Sequence, residues 1–161
     1  MEDLDAMCQR EYPRLVGMIG LYCGDADMAE DLAQEALIRL CRDWRTVSSM
    51  EAPESWLHRV AINLAHSHYR RKAIERHALS VLGARRANTD ATDVRVETID
   101  LLKHLPHRQK AAVLLHYYLD LPVREVAEMM QVPEGTAKTL IHRGTRSLQA
   151  DEGIVEARSG T

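Results

Sequence analysis

"VREVAEMMQVPEGTAKTLIHRGTRSL", Val123–Leu148, is the stretch whose reading decides the fold. It predicts a short helix, a tight turn at Gln131–Pro133 and a longer helix. Val123, Val126, Ala127 and Met130 recur at helical spacing on the first, and Ala137, Leu140, Ile141, Gly144 and Leu148 on the second. Small residues at Ala127 and Gly144 would let the two helices cross closely. In a helix-turn-helix pair of this kind the second helix enters the major groove of DNA. Opposite its apolar face stand Lys138, Thr139, His142, Arg143 and Arg146, all on one side. Long cationic donors reach phosphates and guanine edges, while Thr and His make shorter contacts. Glu134, Gly135 and Thr136 open the helix and would offer backbone amides to a phosphate. The face of an ordinary solvated amphipathic helix carries similar residues; the helix and turn before it favour DNA.

Working outward, every strong periodic signal is helical. Before the pair, Val94 to His104 and Pro106 to Leu119 each read as a helix, and Pro122 starts the short one ending at Met130. At the other end, "LDAMCQREYPRLVGMIGLYCG" forms a first helix stopped by Gly24, with a kink or break expected at Pro13. Asp27 and Glu30 have capping-box spacing at the start of the second helix. Pro53 opens the third, after a polar loop at Ser48 and Ser49. "LSVLGARRANTDATD" sustains no period and reads as a linker, and 150–161 reads as a frayed acidic tail. The chain is therefore all-α, with two small helical domains at 1–77 and 95–150, a flexible linker at 78–94 and a tail at 151–161.

The 161 residues suffice for two such modules. With no Phe, the core rests on Leu, Val, Ile, Met and Ala, with the two Trp as the large pieces. No stretch is long and apolar enough for a membrane helix, and the acidic N-terminus lacks the basic start of a secretion signal. A cytoplasmic protein is expected. Cys8, Cys23 and Cys41 show no CxxC spacing and read as free thiols. The net charge of −3 conceals segregation: residues 1–51 carry 5 bases and 11 acids, whereas 52–86 carry 7 and 2. Residues 105–149 are basic again, with 6 bases and 4 acids. Two separate basic segments suit nucleic acid, and the acidic one requires another partner.

The first basic segment lies on the third helix. Arg59, Asn63, His66 and Arg70 line one stripe suited to polynucleotide contact, opposite Leu57, Val60, Ala61 and Leu64. Trp56 is either a core anchor or a base-stacking platform. On the second helix, Asp31, Gln34, Glu35 and Ile38 form a face that repels phosphate and suits an arginine-rich protein.

Taken in order, these pieces resemble the bacterial sigma-70 family, in its compact extracytoplasmic-function group (group four). "AEDLAQEALIRL" resembles the family's AEDLxQExFxxx signature, and "SWLHRVAINLAHSHYRR" its WLxxIAxNxxxDxxRR signature. Leu105–Leu148 resembles the LPxxxRxVxxLxxxxxxSxxEIAxxLxxxxGTVKSRxxRAxxxL block. The resemblance spans about residues 10–149 and implies the family's second and fourth conserved regions. It implies a sigma factor that binds core RNA polymerase and directs promoter recognition and transcription initiation. Asp31, Gln34, Glu35 and Ile38 would dock on the clamp helices of the largest polymerase subunit, with further contact at the flap. Trp56, Arg59, Asn63, Ser67, Arg70, Arg71 and the loop from Val47 to Ser55 would bind and help melt the minus-ten element. Glu134, Gly135, Thr136, Lys138, Thr139, His142, Arg143 and Arg146 would bind the minus-thirty-five element. An anti-sigma factor is an expected partner. Pro122 in place of the usual Ser, Leu140 in place of a polar residue, His66 and His68, and Leu37 in place of Phe depart from the pattern.

Three other readings stand beside this one. A helix-turn-helix regulator acting without polymerase docking would need an effector pocket within 1–77. An enzyme would need ligands or a nucleophile; His66 with His68, or His104 with His107, lacks a third metal ligand nearby, and no catalytic motif occurs. The expectation is thus no enzyme activity, no catalytic residue, no metal and no cofactor. A helical adaptor would be indifferent to Lys138 and Arg143.

Overall fold

The computed structural model describes residues 3–81 and 94–159, with side chains described over 3–81 and 98–151. Helix α3 runs on to Val81, into the linker expected at 78–94, the rest of which lies mostly outside the described residues; the tail expected to fray from 150 is instead helical as far as Ser159, its side chains beyond Asp151 lying outside the described residues. The helices are α1 (Leu4–Cys23), α2 (Ala26–Val47), α3 (Pro53–Val81), α4 (Val94–Lys103), α5 (His107–Val113), α6 (Val123–Met130) and α7 (Glu134–Ser159). A π-helical turn, Leu114–Tyr118, continues α5. No strand occurs among the described residues. Nor is any helix there long and apolar enough to cross a membrane.

Two residues turn α1 into α2. Gly24 adopts φ 70°, and its amide closes α1 onto the Gly20 carbonyl at 2.8 Å. Asp25 is extended, and its Oδ1 accepts from the Met28 amide at 3.1 Å. The cap of α2 is therefore Asp25, two residues before the expected Asp27, because the Gly24 turn leaves Asp25 in the extended geometry that a cap needs. Pro13 lies inside α1 without ending it. Being exposed, Pro13 leaves the carbonyl that loses its donor within reach of water.

Met7, Leu15, Met18, Ile19 and Tyr22 of α1 pack on Ala29, Ala33, Ala36 and Leu40 of α2 and on Leu57, Ala61 and Ala65 of α3. Alanines at successive turns let the three axes approach closely. Trp44 and Trp56 are only half-buried at the core's edge, so the expectation that they are its large pieces fails. Tyr22, 1% exposed, is the largest fully buried side chain. In the second module, Leu102, Leu105, Ala112, Leu115, Val126, Ala127, Ala137 and Ile141 form the core.

Within the first module a buried polar pair ties α1 to α3. Glu11 Oε2 lies 2.7 Å from His58 Nε2, and Arg10 Nε donates to Glu11 Oε1 at 2.8 Å. Burial pushes this carboxyl up, but hydrogen bonds from His58 and Arg10 with the charges of His58 and Arg14 hold it down, at about 2.

The modules also touch each other. Lys110 of α5, 3% exposed, donates from Nζ to the Tyr22 carbonyl at 3.0 Å. Its ammonium also sits 5.3 Å from the Tyr22 ring centroid and 5.1 Å from that of Tyr69. Tyr118 of the π turn covers Gly17 of α1 so closely that a Cβ there would displace the tyrosine hydroxyl.

Candidate nucleic-acid interface

The longer helix of the quoted pair presents the face that its spacing predicts. Lys138, Thr139, His142, Arg143 and Arg146 are all exposed, while Ala137, Ile141 and Gly144 are buried behind them. The two helices meet at a turn set by Gln131, which takes φ 56° and returns its amide to Glu128. Pro133 then launches α7: its carbonyl accepts from the Thr136 amide at 3.0 Å and the Ala137 amide at 3.1 Å. The Thr136 amide is thus engaged, and the expected phosphate clamp shrinks to Glu134 and Gly135. Thr139 Oγ1 donates back to the Gly135 carbonyl at 2.9 Å. Leu140 is half-buried, consistent with packing rather than phosphate contact. Gly144 does permit a close crossing, but with α5 rather than α6. A Cβ there would lie 2.6 Å from Val113 Cγ2 and 3.4 Å from the Gln109 carbonyl oxygen.

On α3, Arg59, Asn63, Ser67, Arg70 and Arg71 are exposed, with Trp56 half-buried against the core. Arg59 and Asn63 do not look out onto open solvent alone. With His66 they form one wall of a cleft of about 210 Å³ whose other wall is His107, Arg108 and Gln131 of the second module. No carboxylate pairs with Arg59 or Arg108 among the described residues, so the cleft is strongly cationic. His66 and His107 stack across it, ring centroids 4.8 Å apart. Burial lowers the proton affinity of both; His107, Arg70 and Arg108 lower that of His66 further, and Arg108, Arg70 and Lys110 that of His107. Neither histidine pair considered from the sequence is the one formed, and no group of three metal-ligating side chains occurs among the described residues. Between α2 and α3, Ser49 Oγ donates to the Thr46 carbonyl at 2.7 Å and shapes the short loop.

The acidic face of α2 is also outward. Asp31, Gln34 and Ile38 are exposed, Ile38 by 63%, and half-buried Glu35 pairs with Arg39 at 2.9 Å. An exposed isoleucine ringed by acid and amide groups fits a partner that brings both an apolar knob and basic side chains.

Sequence reasoning missed the residues that join the modules: Tyr22, Tyr69, His107 and Lys110. A signal was present. Lys110 precedes the apolar run Ala111–Leu115 and shares its buried side, a place where a charge needs a partner. Glu11 likewise continues the stripe of Met7, Leu15 and Met18.

Comparison with known proteins adds an independent line. Residues 7–74 match the family described as Sigma-70 region 2, and residues 95–148 match Sigma-70, region 4. The chain is 27% identical over 142 residues to the ECF RNA polymerase sigma factor SigW of Bacillus subtilis, covering 78% of this chain and 76% of that one. It is 28% identical over 126 residues to the RNA polymerase sigma-E factor of Streptomyces coelicolor, covering 76% and 71%. Among solved structures, the sigma factor RpoE of Bartonella quintana, in complex with the anti-sigma factor NepR, superposes with a TM-score of 0.76 at 20% identity. That match covers 93% of this chain and 96% of the other, and so extends to the fold of both modules.

Proposed function

The chain belongs to the sigma-70 family, in its extracytoplasmic-function group, and from that premise we propose how its surfaces divide the work of a sigma factor. It binds core RNA polymerase and directs promoter recognition and transcription initiation. The helix-turn-helix regulator without polymerase docking is set aside, because the chain carries both sigma regions in order.

In this reading residues 1–77 hold polymerase and the minus-ten element, 95–150 hold the minus-thirty-five element, and 78–94 connect them. Asp31, Gln34, Glu35 and Ile38 dock on the clamp helices of the largest subunit. Trp56, Arg59, Asn63, Ser67, Arg70 and Arg71 bind the minus-ten element. There a base leaves the stack, its unstacking offset by contacts with the protein. Lys138, Thr139, His142, Arg143 and Arg146, with the amides of Glu134 and Gly135, contact the minus-thirty-five element through phosphates and base edges. The flap of polymerase supports this second module. Family members are initiation factors, and this chain leaves the chemistry of RNA synthesis to polymerase. It works in the cytoplasm, where polymerase and promoter are.

The observation that carries this division is the exposed cationic face of α7 on one module and the exposed acidic, Ile38-centred face of α2 on the other. The closed arrangement also has a functional meaning: Arg59 and Asn63 line the cleft against α5, so movement of the second module away from them would widen the access of DNA to both. An anti-sigma factor that prefers the closed form would hold the protein inactive by population shift. Run-off transcription with purified chain, core polymerase and a promoter library is the test. Initiation at a defined subset of promoters is expected; no chain-dependent transcript at any promoter would overturn the reading.

A further inference from the structure

The helical hairpin of α1 and α2 turns at Gly24 and Asp25, and its two arms run antiparallel from there. Cys8 stands sixteen residues before Gly24, and Cys41 stands sixteen residues after Asp25. At about 1.5 Å of rise per residue both lie roughly 24 Å from the turn, level with each other. The two thiols are near enough to act on each other: besides burial, the neighbouring Cys41 raises the proton affinity of Cys8. Cys8 is half-buried against the core, whereas Cys41 is exposed. Cys23, at the far end of α1, belongs to a different environment. It lines a separate recess with His68 and Lys72, and burial pushes its thiol up to about 11.

We propose that Cys8 and Cys41 form an oxidisable dithiol, and that closing it to a disulfide weakens docking of α2 on polymerase. The second half rests on the sigma-factor reading above. Exposed Cys41 reacts first. Its thiolate attacks one oxygen of a hydroperoxide, forming an S–O bond as the O–O bond breaks and hydroxide or alkoxide leaves. Sulfur has then given up two electrons and the peroxide has been reduced. Cys8, level with it on α1, attacks the Cys41 sulfenic sulfur; the S–S bond forms, the S–O bond breaks, and the departing hydroxide leaves with the Cys8 proton as water. Burial pushes the Cys8 thiol up, so it suits the resolving role rather than the first attack.

The disulfide must bring the two sulfurs to about 2 Å and fix the torsion between them. That change falls one helical turn from Ile38, on the same ridge of α2 and 63% exposed. Drawing this end of α2 onto α1 shifts Ile38 and its acidic neighbours relative to the core they are built on.

Reduced full-length protein is treated with hydrogen peroxide, alkylated and mapped by mass spectrometry. The expected product has lost two hydrogen atoms, keeps one alkylatable thiol at Cys23, carries a Cys8–Cys41 linked peptide and reverts with dithiothreitol. Cys41→Ser should abolish the linkage, Cys8→Ser should stop at the sulfenic acid, and Cys23→Ser should change neither step. A linkage through Cys23, a cross-linked dimer, or three alkylatable thiols after oxidation would overturn the dithiol. Oxidised chain should bind core polymerase about tenfold more weakly, with recovery on reduction. Equal affinities overturn the coupling to docking. Failure of the reduced chain to bind polymerase at all would instead sink the sigma-factor reading, while the linkage map, which needs no polymerase, still decides the thiol chemistry.

Discussion

The Lys110 ammonium crosses from α5 to the Tyr22 carbonyl at 3.0 Å, placing a cation on the last turn of α1. That carbonyl belongs to the end of a helix, where acceptors lack partners within the helix and the dipole is negative. One side chain thus satisfies a helix terminus in the other module and lies over two tyrosine rings.

Lys110→Ala leaves that carbonyl buried and unpaired when the modules are closed. Closure should weaken by about 1–3 kcal/mol, enough to populate an open form. Small-angle scattering should then show a larger radius of gyration than the parent, and promoter DNA should bind more readily without polymerase. An unchanged radius would show that Tyr118 over Gly17 and the histidine stack suffice on their own.

Acid should loosen the same interface. His66 and His107 face Arg70, Arg108, Lys110, Tyr22 and Tyr69, and each binds its proton more weakly when closed than the ordinary value of 6.5. The open form therefore takes up protons first as pH falls, and closure weakens progressively below about 6.5. A fluorescence-transfer pair with one dye on each module should report separation between pH 7 and 5 that His66→Gln with His107→Gln largely removes.

Glu11 makes the opposite kind of contribution, to folding of the first module. Its carboxyl sits at about 2 rather than 4.5, so its stabilisation is full above 4.5 and disappears as pH falls toward 2. The linked free energy is on the order of 3 kcal/mol. Glu11→Gln should cost a similar amount at pH 7, leaving His58 without its anion, and should flatten the acid limb of urea unfolding midpoints.

Gly144→Ala tests the packing behind the α7 face. The added methyl meets Val113 Cγ2 at 2.6 Å, so Val113 must shift or α5 and α7 must part, at about 1–3 kcal/mol. Thermal unfolding of the second module should shift down while that of the first does not.

Two double substitutions separate the proposed surfaces. Gln34→Ala with Glu35→Ala should weaken polymerase binding about tenfold and leave unfolding unchanged. Lys138→Ala with Arg143→Ala should retain polymerase binding and lose about 1–3 kcal/mol of promoter affinity per side chain, with a shallower salt dependence. Promoter-dependent initiation that survives both pairs unaltered would contradict the assignment.

What could be read from sequence followed from local chemistry. Pro53 at the start of α3, Pro122 before α6 and the apolar stripe Ala137–Ile141 each act within one helix, and each appears where its spacing placed it. The exposed faces of α2, α3 and α7 were legible for the same reason, since a polar stripe is the complement of an apolar one. Long-range pairings were not. Glu11 with His58, and Lys110 with Tyr22, join residues 47 and 88 positions apart, and nothing in either segment alone names its partner. The Asp27 cap failed more narrowly: Asp25 and Asp27 are both competent caps, and the conformation of Gly24 decides between them.

The π-helical turn at Leu114–Tyr118 closes on a bond from the Leu119 amide to the Leu114 carbonyl at 3.2 Å. One residue more than an α-turn is wound there, which re-clocks each side chain beyond it by about 100°. The meeting of Tyr118 with Gly17 is therefore written in the length of a segment as much as in its letters. Deleting a single residue between Leu114 and Tyr118 would aim that ring elsewhere and uncouple the halves while removing no group that touches DNA.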